Sequence, residues 1–238
     1  MNTEEILLLR QQINPINLDF DKNQLIEINL ENKEDFFNPK IGLDVICAAN
    51  GLGCLNYSNK PNDFDEFNLF YSTNYSCFYL KQIVPFLNPS SASNCAIGVN
   101  SADEVKKFAK MCLELNYINS IVFTSEIVPY IAPFGESFFA ECWKNKIFTC
   151  TINPIILGLK EYSINEIKFS KEENKDITKA IFEGKIKNAP YATLLLNGAL
   201  CLYITKKATS IFEGLQITQK TIENGNALEK FKQIEKFI

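Results

Sequence analysis

The chain has 238 residues, of which 46% are hydrophobic and 12% aromatic, so it can bury one substantial core. Its formal net charge is −4, and the lack of a basic surplus argues against binding to nucleic acid. It has no run of about 18 apolar residues that would span a membrane, and its acidic first residues carry only a short apolar run. We therefore expect a cytoplasmic protein with no membrane or nucleic-acid partner.

Eight cysteines are spread along the chain, and none belongs to a Cys-x-x-Cys pair. Most stand inside apolar runs, which is typical of small buried thiols in a reducing cytosol. Histidine is absent, so zinc loses a usual ligand and Cys77 has no imidazole base to activate it as a nucleophile. The composition predicts no metal site and no catalytic thiol.

The N-terminal part predicts a helix, a strand and a second helix. Residues 3–13 form a short helix stopped by a proline, and its Ile6–Leu9 patch is expected to pack on the body or on a second subunit. Leu25–Leu30 largely alternates apolar and polar residues, which predicts a strand with one wetter face. Ile41–Gly51 has small and apolar residues at helical spacing and ends at a glycine, as a helix does.

The stretch Ile83–Thr124 predicts a strand, a helix and a second strand after an extended, proline-bounded arm. Cys95–Val99 is apolar throughout, as expected for a strand covered on both faces. Ser101 then caps a helix and Glu104 completes a capping box. Ser120–Thr124 follows as another buried strand, so the pattern indicates a right-handed crossover in a parallel sheet.

The rest of the chain predicts two further extended segments and four helices. The extended segments are Ser137–Trp143 and Ile147–Thr151, and the helices begin at Ser170, Pro190, Ser210 and Asn226, with capping boxes at Ser170 and Ser210. Asn197, in the apolar helix, is expected to be a hydrogen-bonded core amide. No repeat or linker interrupts the chain. We expect residues 1–238 to form a single α/β domain with a central, mostly parallel sheet flanked by helices.

Three segments resemble parts of one enzyme family. They are Pro85–Pro89 with the buried strand and capped helix after it, Ala189–Ala208 with its Leu-Leu-Asn centre, and Ser210–Gly225 with Glu-Gly in its first turn. They resemble the central and C-terminal parts of anthranilate phosphoribosyltransferases and the related family 3 nucleoside phosphorylases. The resemblance implies a shortened α/β body of glycosyltransferase family 3, without the N-terminal helical domain. Residues 41–238 would be the matched body, and residues 1–40 match poorly.

The family displaces pyrophosphate or phosphate from a ribose, and the resemblance implies where its phosphate-binding motifs lie. Its Gly-Thr-Gly-Gly-Asp loop falls on Leu30–Asp35, which holds three carboxylates and no glycine. Side chains there block the close approach of phosphate to the backbone, and like charge repels it. The Asn-x-Ser/Thr motif falls near Asn38.

The other motifs of the family also match poorly. The Lys-His-Gly-Asn-Arg segment falls on Asn56–Lys60, where only Asn59 is identical and Lys60 keeps a positive charge. The arginine that grips the aromatic acid falls near Cys77, although the only arginine of the chain is Arg10. The Asp-Glu pair that holds magnesium falls near Pro129 and Tyr130.

The candidate ligand-binding residues are therefore Asn38, Asn56, Ser58, Asn59 and Lys60. One interpretation is a remnant pocket at the carboxyl ends of parallel strands, where such sheets bind ligands. The other is an ordinary polar loop, because these residue types dominate turns. No residue is assigned a catalytic role, and no cofactor is expected, since magnesium is implied only if the chain is active.

Three functions remain open. The first is a catalytically silent relative of anthranilate phosphoribosyltransferase with a structural or regulatory role, which would link it to tryptophan biosynthesis. The alternative is an active phosphoribosyl or glycosyl transferase whose site is rebuilt or is completed by a partner chain. The third is a protein-interaction module or homo-oligomer that uses the aromatic residues 64–79 or the N-terminal leucine patch.

Overall fold

A computed structural model describes residues 3–12, 21–30, 35–56, 91–125, 127–170 and 172–235. The predicted arm and the aromatic residues 64–79 lie outside this range. The helices are α1 (Thr3–Gln12), α2 (Lys40–Ala49), α3 (Ala102–Glu114), α4 (Glu173–Phe182), α5 (Ala189–Ile204), α6 (Ile211–Glu223) and α7 (Asn226–Ile234). The strands are β1 (Leu25–Asn29), β2 (Gly53–Asn56), β3 (Asn94–Gly98), β4 (Asn119–Ser125), β5 (Ser137–Trp143) and β6 (Lys146–Ile152).

The described strands form one six-stranded sheet in the order β2-β1-β3-β4-β5-β6. The first four run parallel to one another, and β5 and β6 are antiparallel to their neighbours. This confirms the predicted α/β class with a mostly parallel sheet, including the parallel pair joined by α3. The antiparallel β5–β6 hairpin was not part of the prediction. It turns at Lys144 and Asn145, whose φ angles are +50° and +59°.

Side chains alternate along the strands between two apolar clusters, one on each face of the sheet. Ile28 and Ile121 belong to the larger cluster, which is shared with α2, α5, α6 and α7. Cys95 and Val122 belong to the smaller cluster, which is shared with α3 and with Ile6 of α1. A parallel sheet covered on both faces needs such strands. Ile6 is buried and packs on the body, whereas Leu7 is exposed, and contact of this patch with a second subunit stays a prediction.

Serine caps begin two of the predicted helices. Ser101 accepts a hydrogen bond from the backbone N–H of Glu104, and Ser210 accepts one from that of Glu213. The return bonds reach one residue further back than the standard capping box, because the Glu104 carboxylate accepts from the N–H of Asn100 and the Glu213 carboxylate from Thr209. The sequence signal therefore located both helix starts correctly.

Helix α5 is the central helix of the larger cluster and is buried along nearly all of its length. Its Asn197 accepts from the N–H of Ile131 at 3.0 Å and donates to the carbonyl of Ile131 at 2.8 Å and to that of Thr193 at 2.9 Å. The prediction of a satisfied core amide is confirmed. Helix α6 crosses α5 at Gly214, where an added Cβ would lie 2.6 Å from the carbonyl oxygen of Ala199. This contact explains the glycine in the first turn of α6.

One expectation from the sequence was wrong. Strand β1 has no wetter face at Glu27, which is 1% exposed, because β1 lies inside the sheet and this side is covered by the smaller cluster. Five of the seven described cysteines are buried as expected, but Cys150 is exposed because it lies on the edge strand β6. Among the described residues, no helix is long and apolar enough to cross a membrane.

Candidate functional site

The four parallel strands all end on one side of the sheet. Strands β1 to β4 end at Asn29, Asn56, Gly98 and Ser125, and the pairing registers set these ends side by side. Helix α2 also begins on this side, because it leads from the end of β1 to the start of β2. We call this side the carboxyl edge. It is where open parallel sheets bind their ligands, so it is the candidate site.

Buried apolar side chains line the described part of the carboxyl edge. Leu30, Phe37, Val128 and Tyr130 are all buried there and belong to the larger apolar cluster. The hydroxyl of Tyr130 donates a 2.8 Å hydrogen bond to the carbonyl oxygen of Phe37, which ties the segment before α2 to the loop after β4. Burial raises the pKa of Tyr130, so the phenol stays neutral. This wall offers apolar surface and a hydrogen bond that is already used.

The loop after β4 lies against the end of β3. An added Cβ on Gly98 would lie 1.7 Å from the carbonyl oxygen of Pro129 and 3.0 Å from Leu30 Cδ2, so only glycine permits this approach. The loop is anchored at its start because the hydroxyl of Ser125 donates to the carbonyl oxygen of Val128 at 2.9 Å. Backbone and apolar atoms therefore occupy the space directly above the end of β3.

The position that the resemblance assigns to the magnesium carboxylates does not suit a metal ion. The carbonyl of Pro129 lies against Gly98, and the hydroxyl of Tyr130 donates its hydrogen bond to the carbonyl oxygen of Phe37. Neither side chain is a carboxylate, the ligand that magnesium prefers. The described part of the chain contains no group of three histidine, cysteine, aspartate or glutamate residues that could hold a metal. The residues present at this position do not fit the family's metal.

Of the candidate ligand residues, Asn38 has a described side chain. It lies just before α2, where its Oδ1 accepts from the N–H of Lys40 at 2.9 Å, and its own N–H donates to Oδ1 of Asn174 at 2.7 Å. Asn38 thus caps α2. Asn56 is the last residue of β2, at the carboxyl edge. Ser58, Asn59 and Lys60 lie outside the described residues, so a ligand pocket built from these five residues stays a prediction.

Arg10 lies far from the candidate site. Its guanidinium donates to the carbonyl oxygen of Leu115 at 3.0 Å and stands 5.3 Å from the ring centroid of Tyr117. Leu115 and Tyr117 lie just before the start of β4, so Arg10 is at the end of the sheet opposite the carboxyl edge. Since the chain has no other arginine, none is available at the carboxyl edge to grip a carboxylate or phosphate in the bidentate way that arginine allows.

The sequence did not predict a buried polar pair on the face of the sheet that the smaller apolar cluster covers. The hydroxyl of Tyr117 donates to the Glu27 carboxylate at 3.0 Å, and both residues are buried. Burial, then the charge of Glu27, raises the pKa of Tyr117 well above its usual value, while Arg10 acts in the opposite direction. The available signal was the place of β1 in a βαβ arrangement, which buries both faces of a strand.

Residues 81–228 match the family described as "Glycosyl transferase family, a/b domain". The chain belongs to this family. Among curated relatives, it is 28% identical to the anthranilate phosphoribosyltransferase of Aquifex aeolicus over 158 residues and 31% identical to that of Petrotoga mobilis over 155 residues. These alignments cover 66% and 64% of the chain but 45% of each relative, so the chain spans about half the length of the relatives it matches.

The family fold extends beyond the stretch that matches in sequence. The chain superposes on anthranilate phosphoribosyltransferase from Saccharomyces cerevisiae, solved in complex with PRPP and Mg, with a TM-score of 0.74 over 97% of this chain and 77% of that one. The enzyme from Thermus thermophilus gives 0.75 over 97% and 82%. Sequence identities are 16% and 15%, so these two comparisons establish the fold alone.

Proposed function

We propose that this chain is an anthranilate phosphoribosyltransferase-like protein of glycosyltransferase family 3 that has lost catalysis and has a structural or regulatory role in the cytoplasm. The observation that carries the proposal is the apolar lining of the described part of the carboxyl edge. In the region where a parallel sheet binds its ligand, the loop after β4 lies against Gly98 through Pro129, and the hydroxyl of Tyr130 is hydrogen-bonded to Phe37.

The chemistry of the reaction explains why this apolar lining matters. Transfer of a phosphoribosyl group leaves charge on pyrophosphate, so a site needs backbone amides or cationic groups that face the leaving phosphates. The described wall is apolar, and Arg10 is held on the opposite side of the sheet. The sequence also places carboxylates, not glycines, where the family's phosphate loop is expected. These features together favour a silent protein over the alternative, an active transferase with a rebuilt or shared site.

The proposal is tested by titrating phosphoribosyl pyrophosphate and magnesium into the protein by calorimetry, then adding anthranilate and assaying for product. The Thermus thermophilus enzyme, under the same conditions, is the positive control. We expect no binding heat and no product from a sample whose circular dichroism shows a folded α/β protein. Micromolar binding with turnover would overturn the proposal. In that case the alternative predicts that Asn59→Ala and Lys60→Ala weaken binding.

A further inference from the structure

Strand β6 is an unprotected edge of the described sheet. Its first six residues are exposed, including Ile147 at 38% and Phe148 at 49%, and it pairs with β5 alone, residue for residue and without a bulge. After Lys146 at its start, the strand carries no charged residue and no glycine, and the next charge is at Lys160. Natural proteins usually protect such an edge with charges, prolines, bulges or a covering element. We propose that β6 pairs antiparallel with β6 of a second copy of this chain.

The hairpin geometry shows which backbone groups face outward from β6. Lys144 and Asn145 form a two-residue turn with positive φ, which makes the flanking pair, Trp143 and Lys146, a hydrogen-bonded pair. Such pairs alternate with non-hydrogen-bonded ones along an antiparallel ladder. The residues whose N–H and C=O groups point away from β5 are therefore Ile147, Thr149 and Thr151.

These outward groups are self-complementary about Thr149. With a two-fold axis at this residue, Thr149 faces its own copy, and Ile147 of each chain faces Thr151 of the other. Every one of these pairs exchanges both backbone hydrogen bonds. On one face of the new ladder Phe148 then lies opposite Cys150, and on the other β-branched side chains lie together, a favourable cross-strand arrangement.

Charge also favours the antiparallel pairing of two copies. It keeps the Lys146 residues of the two chains at opposite ends of the interface, about 20 Å apart at ~3.4 Å per residue, whereas a parallel in-register pairing would stack them. It also brings the turn after β6 next to the hairpin turn of the second copy. The turn after β6 exposes Ile155 and Ile156, the latter at 84%, and the second copy would cover both side chains. A two-fold contact of this kind closes on itself and ends at a dimer.

The first test compares two substitutions at Thr149 by light scattering after size exclusion, over a range of concentrations. The wild type is expected to be a dimer. Thr149→Pro removes an outward N–H, which the β5–β6 ladder does not use, so it should give a folded monomer with unchanged circular dichroism. Thr149→Val keeps the N–H and should remain a dimer. A monomeric wild type, larger open-ended oligomers, or a dimer that survives Thr149→Pro would overturn the proposal.

The second test reads the register without relying on the proline variant. Thr149→Cys in a Cys150→Ser background places two thiols across the axis, at a Cα separation of about 5.5 Å that a disulfide can bridge. Mild oxidation is expected to cross-link the chains at position 149, as mapped by peptide mass spectrometry. Ile147→Cys in the same background is the control, because its two copies would lie about 13 Å apart along the strands. Cross-linking in the control but not at position 149 would refute the register.

Discussion

At the scale of single residues, Gly98 decides how closely the loop after β4 approaches the sheet. We predict that Gly98→Ala lowers the free energy of unfolding by about 3 kcal/mol, because its Cβ would overlap the carbonyl of Pro129 and the backbone must move. Gly135→Ala is the matched control, since no atom lies within 4 Å of its added Cβ and the cost comes only from its φ of +59°. That cost is about 1 kcal/mol. Urea unfolding of both variants makes the measurement, and equal losses would mean that the close contact at Gly98 has been relieved.

The residues of the candidate site were only partly predictable from the sequence. The missing glycine loop and the single arginine are facts of composition, and the structure adds that Arg10 lies on the opposite side of the sheet. The packing of Phe37 with Tyr130 at the carboxyl edge was not predictable, because it depends on a contact between residues 93 positions apart. Local patterns carry no information about such a contact.

At the scale of secondary structure elements, Asn197 joins α5 to the loop that covers the carboxyl edge. We predict that Asn197→Leu lowers the free energy of unfolding by about 3 kcal/mol, because it leaves the N–H and C=O of Ile131 buried without this partner. Thr218→Val on α6 is the control. The Thr218 hydroxyl is buried and has no hydrogen-bond partner among the described residues, so its removal should be neutral or slightly stabilising. Thermal and urea unfolding measure the stability of both variants. Similar losses of unfolding free energy in the two would contradict this account.

The helices were more predictable than the last two strands. Helix starts carry local chemistry, such as Ser101 and Ser210 with a glutamate three residues later, and the structure confirms both. The pairing of β5 with β6 depends on the Lys144-Asn145 turn, whose left-handed residues are not the Asn-Gly or Asp-Gly pair that signals this turn. The sequence therefore predicted the extended segments without their antiparallel pairing.

At the scale of the whole molecule, the fold follows from the alternation of strands and helices, while burial depends on the order of strands in the sheet. The alternating pattern of β1 correctly predicted a strand. The predicted exposure of Glu27 was wrong, because β1 has a neighbouring strand on each side and an apolar cluster on each face. Strand order is a long-range property, so the same pattern on an edge strand would have had a wetter face.

The buried thiols and phenols make the stability of the whole molecule sensitive to alkaline pH. Burial raises the pKa of Cys142 to about 11, and burial together with a hydrogen bond to the Cys112 thiol raises the pKa of Cys95. Burial also raises the pKa of Tyr117. The folded state therefore holds these protons after the unfolded chain has released them, so each group stabilises the fold below its ordinary pKa and this contribution is lost as pH rises. We predict that the free energy of unfolding falls from about pH 9 upward.

The variant that isolates one of these groups is Cys142→Ala. At neutral pH it should lower stability slightly, because it removes a buried sulfur that donates to the carbonyl of Ala109. Between about pH 9 and 11, however, its stability should fall less steeply than that of the wild type, by up to about 1.4 kcal/mol per pH unit, the value for one proton. Urea unfolding at stepped pH measures both slopes, and Cys150→Ala, on an exposed side chain, is the control. If Cys142→Ala kept the wild-type alkaline slope, ionisation of that thiol would play no part in alkaline unfolding.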